Sequence, residues 1–224
     1  MGLWDAIPGD MRFEIRKRVF GFKVPDAPHM DPEGLAAFEA SLRDARTYLE
    51  YGAGGSTVMA ARMGKTGCSI EGDRYYCRDV RRKLSEQPHR IELIYADVGP
   101  TEEWGHLRNR EQTAKNVAAW TRYVTLPFDK LGGDFYDLVL VDGRFRVACA
   151  LQAIAEAARR NASFRLLLDD YNDPDDPRPH YRAVETYAPL ARLAGRMAIF
   201  DVTPATLINV PDEAVLKSAV LDSR

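Results

Sequence analysis

The chain has 224 residues and a formal net charge of -2, with 46% hydrophobic and 29% charged residues. That length and balance fit one α/β domain with a modest extension and exclude a disordered chain. A sequence pI of about 6.1 offers no global basic field to hold a nucleic-acid backbone, so no nucleic-acid partner is expected.

Met1 to Asp10 has no charged segment followed by an apolar one, so it does not read as a secretory signal. No run of eighteen apolar residues follows anywhere. The expected location is therefore the cytoplasm, with no membrane partner. Residues 1–45 read as a helical and loop extension, a lid or an oligomer contact, ahead of the main domain at 46–224. Arg12 to Phe20 is basic and partly alternating, and Gly21 to Pro32 is a loop carrying Pro25, Pro28 and Pro32. The basic stretch to Lys23 could meet an anionic surface or a partner subunit, or be a solvated helix face. Asp31-Pro32-Glu33 then supplies an N-cap, a proline at the first helical position and an acidic first turn. Leu35, Phe38 and Leu42 continue that helix at helical spacing.

From Thr47 short apolar runs alternate with helical stretches. Strands are predicted at 48–51, 68–71, 91–97, 136–142 and 164–169. Helices are predicted at 56–63, 74–84, about 115–123, 145–160 (ended by Asn161) and 180–193. Two late strands, Met197 to Val202 and Thr206 to Val210, read as a terminal hairpin. Strand-helix alternation implies parallel strands with right-handed crossovers, and continuous apolar strands imply a sheet covered on both faces. The expected fold is a Rossmann-like, doubly wound, mostly parallel seven-stranded α/β sheet with an antiparallel C-terminal hairpin. Cys68, Cys77 and Cys149 are scattered and odd in number, which fits buried free thiols rather than disulfides or a zinc site.

In such a sheet ligands bind outside the carboxyl ends of the strands. Glu50-Tyr51-Gly52-Ala53-Gly54-Gly55-Ser56-Thr57 stands at that place after the first strand. Glycine allows a tight turn there, and the following helix start favours a polar or anionic group. Thr57 occupies the position where a nicotinamide fingerprint wants a small residue. Glu50 would repel a pyrophosphate and attract an ammonium group. Glu71 ends the second strand, where an acid can accept from ribose hydroxyls, and Asp97 ends the third, where it could accept from an adenine amino group.

With these residues the chain resembles the class I S-adenosylmethionine-dependent methyltransferases, and more closely a group of uncharacterised bacterial methyltransferase-like proteins. The Glu50 to Gly55 segment is similar to their first motif, and Glu71, Asp97 and Asp142 stand at matching strand ends. Shared phrases are Asp97-Val98-Gly99-Pro100-Thr101, Trp104-Gly105-His106, Val141-Asp142-Gly143-Arg144-Phe145-Arg146 and Asp169-Asp170-Tyr171. The resemblance implies S-adenosylmethionine as cofactor. It assigns Glu50, Gly52, Ala53, Gly54, Gly55, Ser56, Glu71, Asp97, Val98 and Asp142 to cofactor binding. The implied activity is methyl transfer to an unidentified small molecule. The competing readings are a non-catalytic S-adenosylmethionine or nucleotide-binding protein of the same fold and, less favoured, a nicotinamide-dependent oxidoreductase.

On the reaction side the candidates are Asp142, Arg144, Asp170 and His180, the last read as the only histidine near this end. Asp142, Asp169 and Asp170 would repel one another without a cation among them. A divalent cation would suit the oxygen cluster, and the arrangement resembles catechol-type O-methyltransferases, although Asp-Asp stands here for their Asp-Asn. Neutralisation by Arg144 or Arg146 is preferred, so no metal is assigned. Trp104 and His106 lie in a long loop, where the tryptophan either covers a ligand or plugs the core beneath. A homodimer is left open.

Overall fold

A computed structural model describes residues 9–129, 131 and 133–222; the opening eight residues of the N-terminal reading lie outside the described residues. The elements are α1 (Gly9–Ile15), running into a π-helical turn (Arg16–Phe20), α2 (Pro32–Asp44), β1 (Thr47–Tyr51), α3 (Gly55–Arg62), β2 (Thr66–Glu71), α4 (Arg74–Leu84) and β3 (Arg90–Tyr95). After these come α5 (Ala114–Asp129), β4 (Leu138–Val141), α6 (Arg146–Arg159), β5 (Phe164–Leu168), β6 (Arg192–Ala194), β7 (Met197–Val202) and α7 (Glu213–Leu221). The sheet order is β3-β2-β1-β4-β5-β7-β6. β1 to β5 run parallel, β7 is antiparallel to β5, and β6 is antiparallel to β7. Strand order reverses between β1 and β4, which opens the crevice at their carboxyl ends.

The strands read as continuous apolar runs because both faces are covered. In β4, Leu138 and Leu140 face α2, α3 and α4 with Phe38, Leu42, Val58 and Val80. Val139 and Val141 face α5, α6 and α7 with Trp120, Tyr123, Ile154 and Val220. All four β4 side chains are fully buried, each stabilising by about 1.5–3 kcal/mol relative to exposure. The three cysteines are buried thiols, as their apolar surroundings suggested, and Cys68 Sγ lies 3.3 Å from the Tyr136 hydroxyl.

Asp31 caps α2, its Oδ1 accepting from the N–H groups of Glu33 (3.1 Å) and Gly34 (2.9 Å). Two expectations near the C-terminus are corrected. The hairpin is β6–β7, not Met197 to Val202 with Thr206 to Val210. The helix expected over 180–193 is a 3-10 helix at Pro179–Thr186, and Arg192 to Ala194 is strand. The physical reason is the turn. Gly195 takes φ +57°, its N–H donates to Glu33 Oε2 (3.0 Å) and the Arg196 N–H donates to Asp31 Oδ2 (3.0 Å). The start of α2 thus fixes a two-residue reversal between β6 and β7. The Thr206 hydroxyl instead closes a local turn onto the Asp201 carbonyl (3.0 Å), leaving Ile208 55% and Val210 54% exposed. No helix among the described residues is long and apolar enough to cross a membrane.

Candidate functional site

The glycine loop is built for contact between backbones. Gly52 follows β1 with φ +94°, and a Cβ there would fall 2.7 Å from the Gly143 Cα and N in the turn after β4. Its N–H donates to the Ile70 carbonyl (2.9 Å). Gly55 opens α3, and the Ala27 carbonyl occupies the place its Cβ would need. The segment before α2 therefore lies across the loop. Gly54 donates its N–H to Thr57 Oγ1 (2.8 Å), which gives Thr57 its purpose: the hydroxyl closes the first turn of α3.

Glu50 lies underneath this loop, fully buried. Its Oε1 accepts from Ser56 Oγ. Its Oε2 accepts from Thr57 Oγ1 (2.5 Å) and Ser69 Oγ (2.7 Å). Burial raises its pKa, and the hydroxyl donors oppose that shift. Glu50 thus meets hydroxyls at the start of α3, Ser56 among them, and one in β2, rather than the open crevice.

Glu71 ends β2 and is buried. Its Oε2 accepts from the Ala53 N–H (3.1 Å) and its Oε1 from the Asp73 N–H (2.7 Å). Burial lifts its pKa to about 7 against the backbone donors that hold it down. Asp97 lies just beyond β3 and is exposed, its Oδ1 accepting from the Gly99 N–H (3.0 Å). Val98 is buried, and its carbonyl accepts from Trp120 Nε1 (3.2 Å).

The three acids after β4 and β5 are brought together, with ligand oxygens within 4.8 Å of one another. Their cation is Arg146, which is 5% exposed. Its Nη2 lies 2.9 Å from Asp142 Oδ1 and its Nη1 2.9 Å from Asp170 Oδ2. The same guanidinium donates to the carbonyls of Asp169 (2.7 Å) and Gly143 (3.1 Å). Asp170, at φ +54°, is further enclosed by Arg178 (2.9 Å) and Arg196 (3.6 Å). Asp169 is 2% exposed and its Oδ1 has no hydrogen-bond partner. Burial raises the pKa of Asp142 and Asp169, with the neighbouring carboxylates adding to it. Of the two arginines expected to neutralise these acids, Arg146 forms ion pairs with them, while Arg144 acts on Asp142 only at longer range.

Arg144 turns elsewhere. Phe145 at φ +55° begins α6 and packs against Trp120 (5.6 Å) and Tyr123 (5.8 Å). That left-handed residue separates Arg144 from Arg146, so the two side chains leave in different directions. Arg144 Nη1 stands 3.0 Å from His106 Nδ1. His180 is therefore not the only histidine at this end. It sits on the 3-10 helix, edge-on to Tyr181 at 4.6 Å. Trp104 does not plug the core: it is 78% exposed, at φ +58°, with its ring 6.0 Å from that of His29.

The N-terminal segment borders the same region. Lys17 is buried, donating to the Thr101 carbonyl (2.8 Å) and pairing with Glu14 (2.9 Å). Phe22 donates its N–H to Asp79 Oδ2 (2.6 Å) and packs edge-on to Tyr76 at 5.3 Å. Two cavities, of about 330 Å³ and about 380 Å³, lie at the opposite, amino ends of the strands. They are remote from the switch point, so the carboxyl-end crevice is the candidate site.

No protein-family model and no curated protein matches the chain. Among solved structures it is similar to a methyltransferase-like protein from Silicibacter pomeroyi DSS-3. The identity is 30% over 89% of this chain and 100% of that one, with a TM-score of 0.73. Weaker likenesses are the Podospora anserina methyltransferase PaMTH1 bound to SAH (16% identity, 87% and 88% covered, TM-score 0.47) and the O-methyltransferase TomG from Streptomyces achromogenes in complex with SAM (19%, 80% and 84%, 0.42). The chain belongs to the methyltransferase-like proteins of the class I methyltransferase fold.

Proposed function

We propose that the chain binds S-adenosylmethionine at the carboxyl ends of β1, β2 and β3 and methylates a small-molecule acceptor. The observation that carries this reading is the bond from the Ala53 N–H to Glu71 Oε2, which joins the glycine loop to the acid of the second strand. Glu71 accepts from the N–H groups of Ala53 and Asp73, with the Gly72 backbone as a further donor, and no cation pairs with it among the described residues. A carboxylate has about four acceptor sites, so capacity remains for a ribose hydroxyl. That donor would relieve the burial that raises its pKa.

In this reading Gly52, Ala53, Gly54 and Gly55 line the methionine part, and Asp97 and Val98 border the adenine. Glu50 acts beneath the loop, as the acceptor that fixes Ser56 and Thr57. When bound, the cofactor supplies a methyl group on a sulfonium centre with a neutral thioether as leaving group. Asp142 is the carboxylate suited to orient the acceptor and hold its proton, because its side chain is 27% exposed while Arg146 favours its charged form. Asp170 is assigned to bracing Arg146 and Arg178.

Calorimetry with S-adenosylmethionine and S-adenosylhomocysteine tests the reading. Saturable binding is expected, weakened about tenfold or more by Glu71→Ala. No heat of binding with millimolar ligand would sink it.

A further inference from the structure

Arg144 is a partly buried cation that Asp142 attracts only at longer range, without an ion pair. Among the described residues no carboxylate lies within ion-pair distance of it, whereas Arg146 and Arg178 each hold carboxylates at 2.9 Å or closer. A charge drawn away from water is normally paired. Burial first, then Arg146 and Arg178, lower its pKa, against Tyr123 and Tyr181, which raise it.

Among the described residues its one side-chain hydrogen bond is with a histidine. A guanidinium can only donate, so the His106 Nδ1 at 3.0 Å is an acceptor and the ring proton sits on Nε2. His106 is thus neutral and offers a second donor. The charged groups acting on its ring are Arg144, Arg110, Arg178 and Glu102, and burial together with the three arginines lowers its pKa. Arg110 is exposed and likewise has no carboxylate within ion-pair distance among the described residues. An arginine with no carboxylate at ion-pair distance and a neutral histidine therefore meet in a chain of net charge -2, with the exposed Arg110 acting on the same ring. They stand beside the turn that carries Asp142 and touches Gly52.

We propose that Arg144, with His106 and Arg110, binds an oxyanion, a carboxylate or a phosphate, carried by the methyl acceptor. The planar guanidinium fork matches either group. The assignment to an acceptor rests on the methyltransferase reading above.

The test titrates the full chain with sodium benzoate and, separately, inorganic phosphate at constant ionic strength, with and without S-adenosylhomocysteine. The His106 ring resonances, assigned with His106→Asn, report the binding. The proposal expects saturation by at least one anion, an upward shift of the His106 pKa on binding, and a loss of affinity of about tenfold or more in Arg144→Gln. Arg144→Lys keeps the charge without the fork and should lose less. Arg108→Gln, which removes a guanidinium paired with Glu14, should leave anion affinity unchanged. Benzoate alone saturating would assign a carboxylate acceptor, and phosphate alone a phosphorylated one. If S-adenosylhomocysteine binds but neither anion saturates the wild type by about 50 mM, the anion site is overturned and the cofactor reading stands. Equal anion affinity in wild type and Arg144→Gln overturns it as well. If the anion binds through Arg144 but S-adenosylhomocysteine does not bind, the site holds and the methyltransferase reading falls.

Discussion

Arg146 joins Asp142 to Asp170, with one guanidinium nitrogen 2.9 Å from each carboxylate. It does so from a buried position, so neither acid relies on water for its counterion. Removing one partner of a buried ion pair costs about 3–5 kcal/mol, because the charge left behind is uncompensated. Arg146→Met should lower stability by about that amount, read as a fall in the denaturant midpoint. Without the arginine the folded-state pKa of Asp142 rises further. An acid whose folded pKa is raised stabilises the fold at low pH and loses that contribution as pH rises through it. The deficit of Arg146→Met should therefore shrink on acidification from neutral pH. A deficit independent of pH would mean that the arginine acts through packing alone.

Gly52 and Gly64 both have positive φ, at +94° and +69°. They differ in what surrounds them. A Cβ on Gly64 meets nothing within 4 Å, whereas one on Gly52 falls 2.7 Å from the Gly143 backbone. Gly64→Ala should cost only the left-handed penalty, about 1–2 kcal/mol. Gly52→Ala should cost more, because the loops after β1 and β4 must also move apart. It should weaken S-adenosylhomocysteine binding too, which Gly64→Ala should not. Thermal melts and calorimetry on the pair check this, and equal melting temperatures would remove the role given to the loop contact.

The sheet was readable because β4 is a run of four buried residues and because the acids at its end and at the ends of β2 and β5 break the apolar pattern. The hairpin was not. Thr206 to Val210 is more apolar than Arg192 to Ala194, yet pairing is decided by the Gly195 turn and by Asp31 and Glu33, which lie more than a hundred residues away. Arg144 and Arg146 looked equivalent as candidate counterions. The left-handed Phe145 between them, held by Trp120 and Tyr123, sends only one toward the acids. His106 could be flagged only as a residue of a long loop, since its contact with Arg144 spans 38 positions.

Glu50 accepts from the hydroxyls of Ser56, Thr57 and Ser69, with the Tyr48 hydroxyl also acting on it. Glu50→Gln keeps the shape but offers one acceptor oxygen where there were two, and adds an amide that must itself donate. At least one of Ser56, Thr57 and Ser69 is then left unsatisfied in a buried place, at a cost of about 1–3 kcal/mol. The first turn of α3 should loosen, since Thr57 also accepts from Gly54. Hydrogen exchange at residues 54–58 should quicken in the variant while the β4 amides stay protected. Unchanged exchange there would show that the loop does not depend on this acid.

Glu71 gives the sharpest pH signature. Its folded pKa of about 7 stands above its ordinary value of 4.5, so the folded state holds the proton more tightly than the unfolded chain does. Between those two values stability falls as pH rises, with a slope of up to about 1.4 kcal/mol per pH unit from this one group. Glu71→Gln removes that contribution, and its stability should be flatter than wild type between pH 4.5 and 7. Ligand binding runs the other way. Hydroxyl donors favour the ionised carboxylate, so S-adenosylhomocysteine should bind with release of a proton and more tightly as pH rises toward and past 7. Calorimetry in buffers of different ionisation enthalpy measures the proton directly. Proton uptake on binding, or an affinity that falls across that range, would take Glu71 out of the cofactor site.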